Sequence, residues 1–214
     1  LVSTDVTLAI IPTGSGNGLA RCLDIPLSVE QAIKAINQMK TKRIDCIKLN
    51  NTVYASIAGI GFDALIAREF AKTKTRGFQP YLKLVLQNYP QYKPQNYTLI
   101  IDDIEINTQA LFVSFSNSNQ FGFDVEIANN ASLCDGLIDV VIVQKPPLPL
   151  LFWTAQLLFW RKFDNSIYVN AYQAKKVTVK SNNPTGVNLD GEYAEFDTDL
   201  TFEIMPDSLN VIIP

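Results

Sequence analysis

Apolar residues fall into two alternating characters along the chain. Near the start, Thr7–Ile11 is a short apolar run closed by Pro12, the pattern of a buried parallel strand. A glycine-rich turn, Thr13 to Gly18, follows, and Leu19–Leu23 opens a helix. A parallel strand needs neighbours, so this opening reads as the middle of a domain. Ser28-Val29-Glu30-Gln31 forms a capping box, and Ala32, Ile33, Ala35, Ile36 and Met39 continue at helical spacing to about Lys40. The period then changes. Arg43–Leu49 and Thr52–Ala58 flank Asn50-Asn51 as a hairpin would. Asp63 is placed to cap a helix reaching about Lys72, and Gln79–Tyr89 reads as another helix. Beyond it the pattern predicts strands at Tyr97–Ile101, Ile104–Phe115, Leu137–Val143 and Ser166–Asn170. Further strands are predicted at Lys175–Lys180, Gly186–Leu189, Leu200–Met205 and Leu209–Ile213. Many short strands with few helices point to an antiparallel sandwich or barrel.

One segment fits neither period. Leu148–Phe163 is apolar on nearly every helical face and ends in Trp160-Arg161-Lys162. It is too short to cross a bilayer, which takes about 20 apolar residues. Two readings stand: a buried core helix with snorkelling basic ends, favoured on composition, or a helix at a membrane interface.

Composition narrows the chemistry. The chain is 47% hydrophobic and 18% charged, enough for a packed core. A net charge of −3 argues against nucleic-acid binding, and an anionic membrane would have to be met through a local patch. Histidine is absent, which removes Ser–His–Asp and Cys–His catalysis and every His-ligated metal. Cys22, Cys46 and Cys134 are odd in number and form no CxxC, so free thiols in a reducing compartment are expected. No secretory signal opens the sequence. Catalysis is left to carboxylates, lysines, backbone amides and oxygen-bound metals.

Three motifs carry candidate chemistry. Pro12-Thr13-Gly14-Ser15-Gly16-Asn17-Gly18 follows a strand and opens a helix, where glycines let backbone amides approach a phosphate. Ser15 and Asn17 add side-chain donors, and the plain alternative is an ordinary strand-to-helix turn. Asp190-Gly191-Glu192 sets two carboxylates around a tight turn. Phosphoryl transfer needs a positioned base, and the two acids could not share one strand face, so different roles follow; a simple Asp-Gly hairpin is the alternative. Ala131 to Asp139 places Asp135 just before a strand, where its carboxylate and backbone carbonyls could surround Mg²⁺ or merely form a turn.

In this order and spacing the motifs resemble the diacylglycerol kinase and sphingosine kinase-like lipid kinases, especially the soluble bacterial branch. The resemblance extends to Gly61-Phe62-Asp63, Ala131–Leu137 and the strand Pro206–Val211, and so covers nearly the whole chain. It implies that Gly14, Ser15, Gly16 and Asn17 contact nucleotide phosphates and that Glu192 is the general base. It implies that Asp135, the Leu137 carbonyl and the Ser132 position organise Mg²⁺, with Asp190 in support. Gly18 stands where many diacylglycerol kinases carry Asp, a form closer to sphingosine-kinase-like members. The Gly-Gly-Asp-Gly-Thr motif of the family has no counterpart here, which implies an N-terminally truncated sequence lacking its main phosphate loop.

The expected fold is α+β. Residues 1–43 would be the C-terminal part of an ATP-binding α/β domain. Residues 44–214 would form a β-rich lipid domain, with the last strand returning to the first part. The expected activity of the full-length protein is transfer of the γ-phosphoryl of ATP to a diacylglycerol-like or sphingoid-like hydroxyl, with Mg²⁺ as cofactor and the lipid tail in an apolar pocket; the fragment alone should not turn over. The expected setting is cytoplasmic, with peripheral contact at the inner membrane face and a homodimer left open. The rivals are a kinase of a soluble substrate such as NAD, favoured by a polar cleft, and a non-enzymatic lipid-binding module.

Overall fold

A computed structural model describes residues 1–214 except 124, 161 and 182, and the side chains of all of these but 152, 155, 158, 159 and 164. The chain begins with β1 (Thr7–Leu8), α1 (Gly18–Cys22), α2 (Val29–Ile36), β2 (Thr41–Leu49), β3 (Thr52–Tyr54) and β4 (Ile57–Gly61). Next come α3 (Phe62–Ala71), α4 (Phe78–Asn88), β5 (Gln95–Ile101), β6 (Ile104–Ala110) and β7 (Phe112–Ser116). Then follow β8 (Gln120–Gly122), β9 (Val125–Glu126), β10 (Ile138–Val143) and α5 (Leu148–Phe159). The chain closes with β11 (Val169–Ala174), β12 (Lys176–Lys180), β13 (Thr185–Leu189), β14 (Glu192–Phe196) and β15 (Leu200–Ile212).

Two open sheets pack face to face, with no closed barrel. One runs β3-β2-β15-β12-β5-β6, with β1 parallel to β15. The other runs β11-β10-β7-β4-β13-β14 and is antiparallel throughout its described pairs. The core between them takes Leu99, Val177, Val179 and Phe202 from the first sheet and Ile60, Val113, Phe115 and Val140 from the second. Alternate residues of each strand face inward, which is why the period-two pattern is legible in the sequence. The tightest contact across the layers is Phe115 stacked on Phe202, with centroids 3.8 Å apart and planes 17° apart. Both rings are fully buried.

The expected strands break where the chain changes sheets. Thr52–Ala58 divides at Ala55-Ser56 into β3 of the first sheet and β4 of the second. Ile104–Phe115 divides at Leu111 into β6 and β7, again in different sheets. Conversely, Leu200–Met205 and Leu209–Ile213 are one strand, β15, whose register against β2 shifts between Met205 and Leu209. Pro206 sits in that bulge, where a missing N–H costs no ladder bond. Strand β14 was not anticipated, and the strand expected at Ser166–Asn170 lies later, at Val169–Ala174.

Three further expectations are corrected. The Thr7–Ile11 strand pairs in parallel as expected but only over Thr7 and Leu8; Ala9 and Ile11 are exposed, because no strand pairs with the other edge of β1 among the described residues. The core reading of Leu148–Phe163 holds only in part: Thr154 and Phe163 are buried and Leu151 and Leu157 pack on neighbouring clusters, but the exposed flank does not. Leu148, Leu150, Trp153 and Trp160 are 59%, 43%, 62% and 60% exposed, since the sandwich already fills its own core and α5 packs outside it. Arg161 and the side chains of Phe152, Leu158 and Phe159 lie outside the described residues. Among those residues, no helix is long and apolar enough to cross a membrane.

Asp63 makes no capping bond. The N-cap of α3 is Gly61 (φ 82°), and Asp63 turns inward, buried, where its Oδ2 accepts a bond from Asn188 Nδ2 at 2.9 Å. It packs over Gly59, where an added Cβ would meet Asp63 Oδ2 at 2.0 Å. Glycine at 59 is therefore what admits the carboxyl. Burial pushes the Asp63 carboxyl up to about 7, partly opposed by the Asn188 bond.

Two predictions follow from this packing. Phe202→Ala should cost about 3–5 kcal/mol through lost burial and the cavity left between the sheets. A thermal melt should then show a midpoint lower by roughly 10 °C. The folded chain retains the Asp63 proton up to about 7, whereas the unfolded chain releases it near the ordinary carboxyl range. Its contribution to stability therefore falls as pH climbs through that window and levels off above it. Asp63→Asn should flatten this slope, so melts at pH 5 and pH 8 should differ less for the variant than for the parent. Equal slopes would show that the buried carboxyl is not the titrating group.

Candidate active site

The Asp190-Gly191 turn joins β13 to β14. Both residues have positive φ, 49° and 96°, as a type I′ hairpin requires. What fixes the turn is the Asp190 side chain. Its carboxylate accepts the amides of Ala55 at 3.0 Å, Ser56 at 3.0 Å and Ile57 at 2.8 Å, and its own N–H donates to the Ile57 carbonyl at 2.9 Å. These amides belong to the crossover between sheets, where no strand is in register to accept them. Burial pushes the Asp190 carboxyl up, and the three amides pull it back. Asn188 completes the turn: its Oδ1 accepts the Gly191 amide at 3.0 Å while its Nδ2 reaches Asp63. With both Asp190 oxygens engaged, the acid left open at this turn is Glu192, which is exposed opposite Leu189.

The crossover is also where β7 ends. The amides of Asn117 and Ser118 donate to the Ser56 carbonyl at 2.9 and 3.1 Å, and Ser56 Oγ meets Ser118 Oγ at 2.7 Å. Asn117 Nδ2 donates to the carbonyls of both Asp45 and Ala55, each at 2.8 Å. Asp45, Ser56, Asn117 and Ser118 were missed from sequence. The available signal was the polar run Ser116-Asn117-Ser118-Asn119-Gln120 directly after an apolar strand.

Asp45 does for a second pair of loops what Asp190 does for the crossover. It is buried on β2; its Oδ2 accepts the Gly136 amide and its Oδ1 the Asp207 amide, both at 2.8 Å. Its N–H donates to the Leu133 carbonyl at 2.7 Å. The 131–137 loop is thus bound to the β15 bulge and, through Asn117, to the Asp190 crossover. Within that loop Asp135 is exposed and its Oδ1 accepts the Leu137 amide at 3.0 Å, while Ser132 Oγ accepts the Cys134 amide at 3.4 Å. No group of three or more His, Cys, Asp or Glu side chains suited to a metal occurs among the described residues. The oxygens on offer are one carboxylate, a hydroxyl and the Leu137 carbonyl. That set suits Mg²⁺, which holds several waters and takes one or two carboxylates.

The glycine loop packs on β8. An added Cβ on Gly16 would lie 3.6 Å from the Gly122 Cα, and one on Gly18 would lie 3.0 Å from the Gln120 carbonyl oxygen. The Phe123 amide donates to the Gly16 carbonyl at 3.3 Å. Asn17 holds a left-handed conformation (φ 50°), and its Nδ2 donates to the Gly14 carbonyl at 2.8 Å. One of its two amide donors thus shapes the loop itself. Gly14 and Ser15 are exposed. Gly18, the departure noted in the sequence, has a packing reason: a side chain there would press on the β8 backbone and require it to give by a few tenths of an ångström.

Among the described residues two cavities flank the sandwich, and neither is the apolar pocket expected for a lipid tail. The larger, about 660 Å³, is lined by polar groups including Arg68, Gln95, Asn96, Lys180, Tyr193 and Glu195. Thr185 and Gly186 of β13 also line it, together with Tyr193 and Glu195 of β14. A second, about 560 Å³, lies beside the β15 bulge and includes Asp5, Arg43 and Asp207.

Residues 56–213 match the family model for the YegS C-terminal NAD kinase beta sandwich-like domain, and residues 1–49 match the diacylglycerol kinase catalytic domain. A Pseudomonas syringae pv. syringae protein named "Probable lipid kinase YegS-like" is 26% identical over 216 residues, 100% of this chain and 70% of that protein. A diacylglycerol kinase of Staphylococcus saprophyticus is 27% identical over 190 residues, 87% of this chain and 62% of its own length. A crystal structure of a diacylglycerol kinase from Bacillus anthracis str. Sterne shares the fold, with a TM-score of 0.69 at 18% identity, over 97% of this chain and 67% of that one. A sandwich matched over most of its length, preceded by a matching catalytic segment, places the chain in the family of YegS-like and diacylglycerol kinases, enzymes of phosphoryl transfer from ATP.

Proposed function

We propose that the full-length protein phosphorylates a lipid hydroxyl, diacylglycerol-like or sphingoid-like, with Glu192 as general base. The observation that carries this reading is the division of labour at the Asp-Gly-Glu turn. Asp190 spends its carboxylate on three amides, so the neighbouring exposed acid sits on an immobilised turn. Phosphoryl transfer asks the protein mainly for positioning and charge stabilisation, with a base to take the hydroxyl proton. Exposed Gly14 and Ser15 and half-buried Gly16 offer backbone amides suited to nucleotide phosphates, with Asn17 shaping the loop. When bound, Mg²⁺ would neutralise phosphate charge, and Asp135, Ser132 and the Leu137 carbonyl are the oxygens that would hold it. In this reading residues 1–43 serve the nucleotide and residues 44–214 the lipid. Strand β15, paired with both β1 and β2, ties the two parts together.

A second reading, phosphorylation of a soluble substrate such as NAD, draws on the polar cavity of about 660 Å³. Its lining reaches Tyr193 and Glu195 on β14, the strand that Glu192 opens.

In the full-length protein, Glu192→Gln should lower kcat by about 10²–10⁴-fold with an unchanged melting temperature. Turnover within a few-fold of the parent would remove Glu192 from the base role. Asp190→Ala should strand the crossover amides and destabilise the fold by about 3 kcal/mol or more. Denaturant unfolding would measure that loss, and an unchanged midpoint would show that the clamp is dispensable. A panel of lipids and NAD with labelled ATP separates the two readings: label transferred to NAD alone overturns the lipid assignment.

A further inference from the structure

The net charge of −3 conceals a segregation. Segments 70–101 and 140–163 hold eight of the chain's 18 basic residues and none of its 21 acidic ones. Helices α4 and α5 lie in these two segments. They are neighbours: Leu151 of α5 packs in one cluster with Leu84, Val85 and Tyr89 of α4. The Tyr89 hydroxyl donates to the Pro146 carbonyl just before α5, and Lys145 Nζ lies 4.9 Å from the Tyr89 ring centre.

This layer also carries much of the exposed apolar surface. On α5, Leu148, Leu150, Trp153 and Trp160 stand out, and on α4, Leu82 and Leu86 are 40% and 55% exposed. Trp153 and Trp160 are the two tryptophans of the chain. Exposed Lys83 lies on α4 and exposed Lys162 just beyond α5. Helix α5 contains no charged residue over its 12 positions. At about 1.5 Å per residue it is some 18 Å long, far short of a bilayer core of about 30 Å. Such a helix can lie in the interfacial region but cannot cross it.

We infer that the α4–α5 layer docks on an anionic lipid bilayer, with Trp153 and Trp160 seated among the headgroups and the surrounding lysines facing lipid phosphates. Tryptophan favours this depth because its ring is amphipathic. The charge pattern selects the occupant. A second copy of the chain meeting the same face symmetrically would set lysines of these helices against lysines, which repel. An anionic surface neutralises them. The inference deepens the lipid-kinase reading, on which it rests, by naming the face through which the lipid arrives.

The two tryptophans make the test direct, because tryptophan emission, excited selectively over tyrosine, reports α5 and its C-terminal end. The 214-residue chain is mixed with vesicles of equal phosphatidylglycerol and phosphatidylcholine, or of phosphatidylcholine alone. Docking predicts a blue-shifted emission, quenching by brominated lipid, and co-sedimentation with the anionic vesicles that weakens with salt. Trp153→Glu with Trp160→Glu should reduce sedimentation at least tenfold while circular dichroism is unchanged. Lys83→Ala and Lys162→Ala should each reduce it about fivefold. An emission unmoved by anionic vesicles overturns the inference, and the quenching arm needs no variant. So does equal binding by the tryptophan double variant, or a concentration-dependent dimer whose emission is already blue-shifted without lipid. Phosphorylation of a short-chain, detergent-dispersed diacylglycerol by the full-length protein is measured in parallel. Absent docking with that turnover intact sinks the docking face alone; docking with no ATP consumed sinks the kinase reading alone.

Discussion

Three successive amides at the Ala55–Ile57 crossover converge on the Asp190 carboxylate. A chain that leaves one sheet for another must abandon its ladder at the corner, and the freed amides need acceptors where water is scarce. A carboxylate from the facing hairpin meets that need, since bonds to a charged acceptor are the stronger kind. Everything near the turn inherits this constraint. Asn188 is held between the Gly191 amide and Asp63, and Asp63 is admitted by Gly59. Glu192 is thereby presented on a support whose freedom has been removed from both sides.

Asp45 repeats the device on the other sheet. Its carboxylate joins the Gly136 and Asp207 amides, and Asn117 links its carbonyl to that of Ala55. Loops far apart in sequence are drawn to one end of the sandwich by side chain-to-backbone bonds. The glycine loop reaches the same neighbourhood by close backbone packing against Gln120 and Gly122. Its glycines at 16 and 18 serve that approach, leaving Gly14 and Ser15 as the open part of the loop.

The helical layer follows a different logic. The sandwich saturates its own interior with strand residues, so an apolar helix added outside keeps an exposed flank. The two segments that carry α4 and α5 hold no acidic residue, while acidic residues outnumber basic ones over the chain as a whole. A globally acidic molecule can thus present one locally basic, greasy face, because screening confines each charge to its own surroundings.

Local pattern was enough for the α+β class, for most strands and for the Asp-Gly turn, because strand patterning and turn chemistry act between near neighbours. The ordered motifs likewise pointed to the kinase family, since each needs only a few adjacent residues. Sheet-switching at Ala55-Ser56 and Leu111, the fusion of two expected strands into β15, and the inward turn of Asp63 depend on partners distant along the chain, 125 residues away in the case of Asp63 and Asn188. So do the clamping roles of Asp45 and Asp190, which sequence could mark as acids but not as acceptors for particular amides. The exposure of α5 belongs to the same group. Its composition suited a core helix, and only the filling of the core by other elements leaves it at the surface.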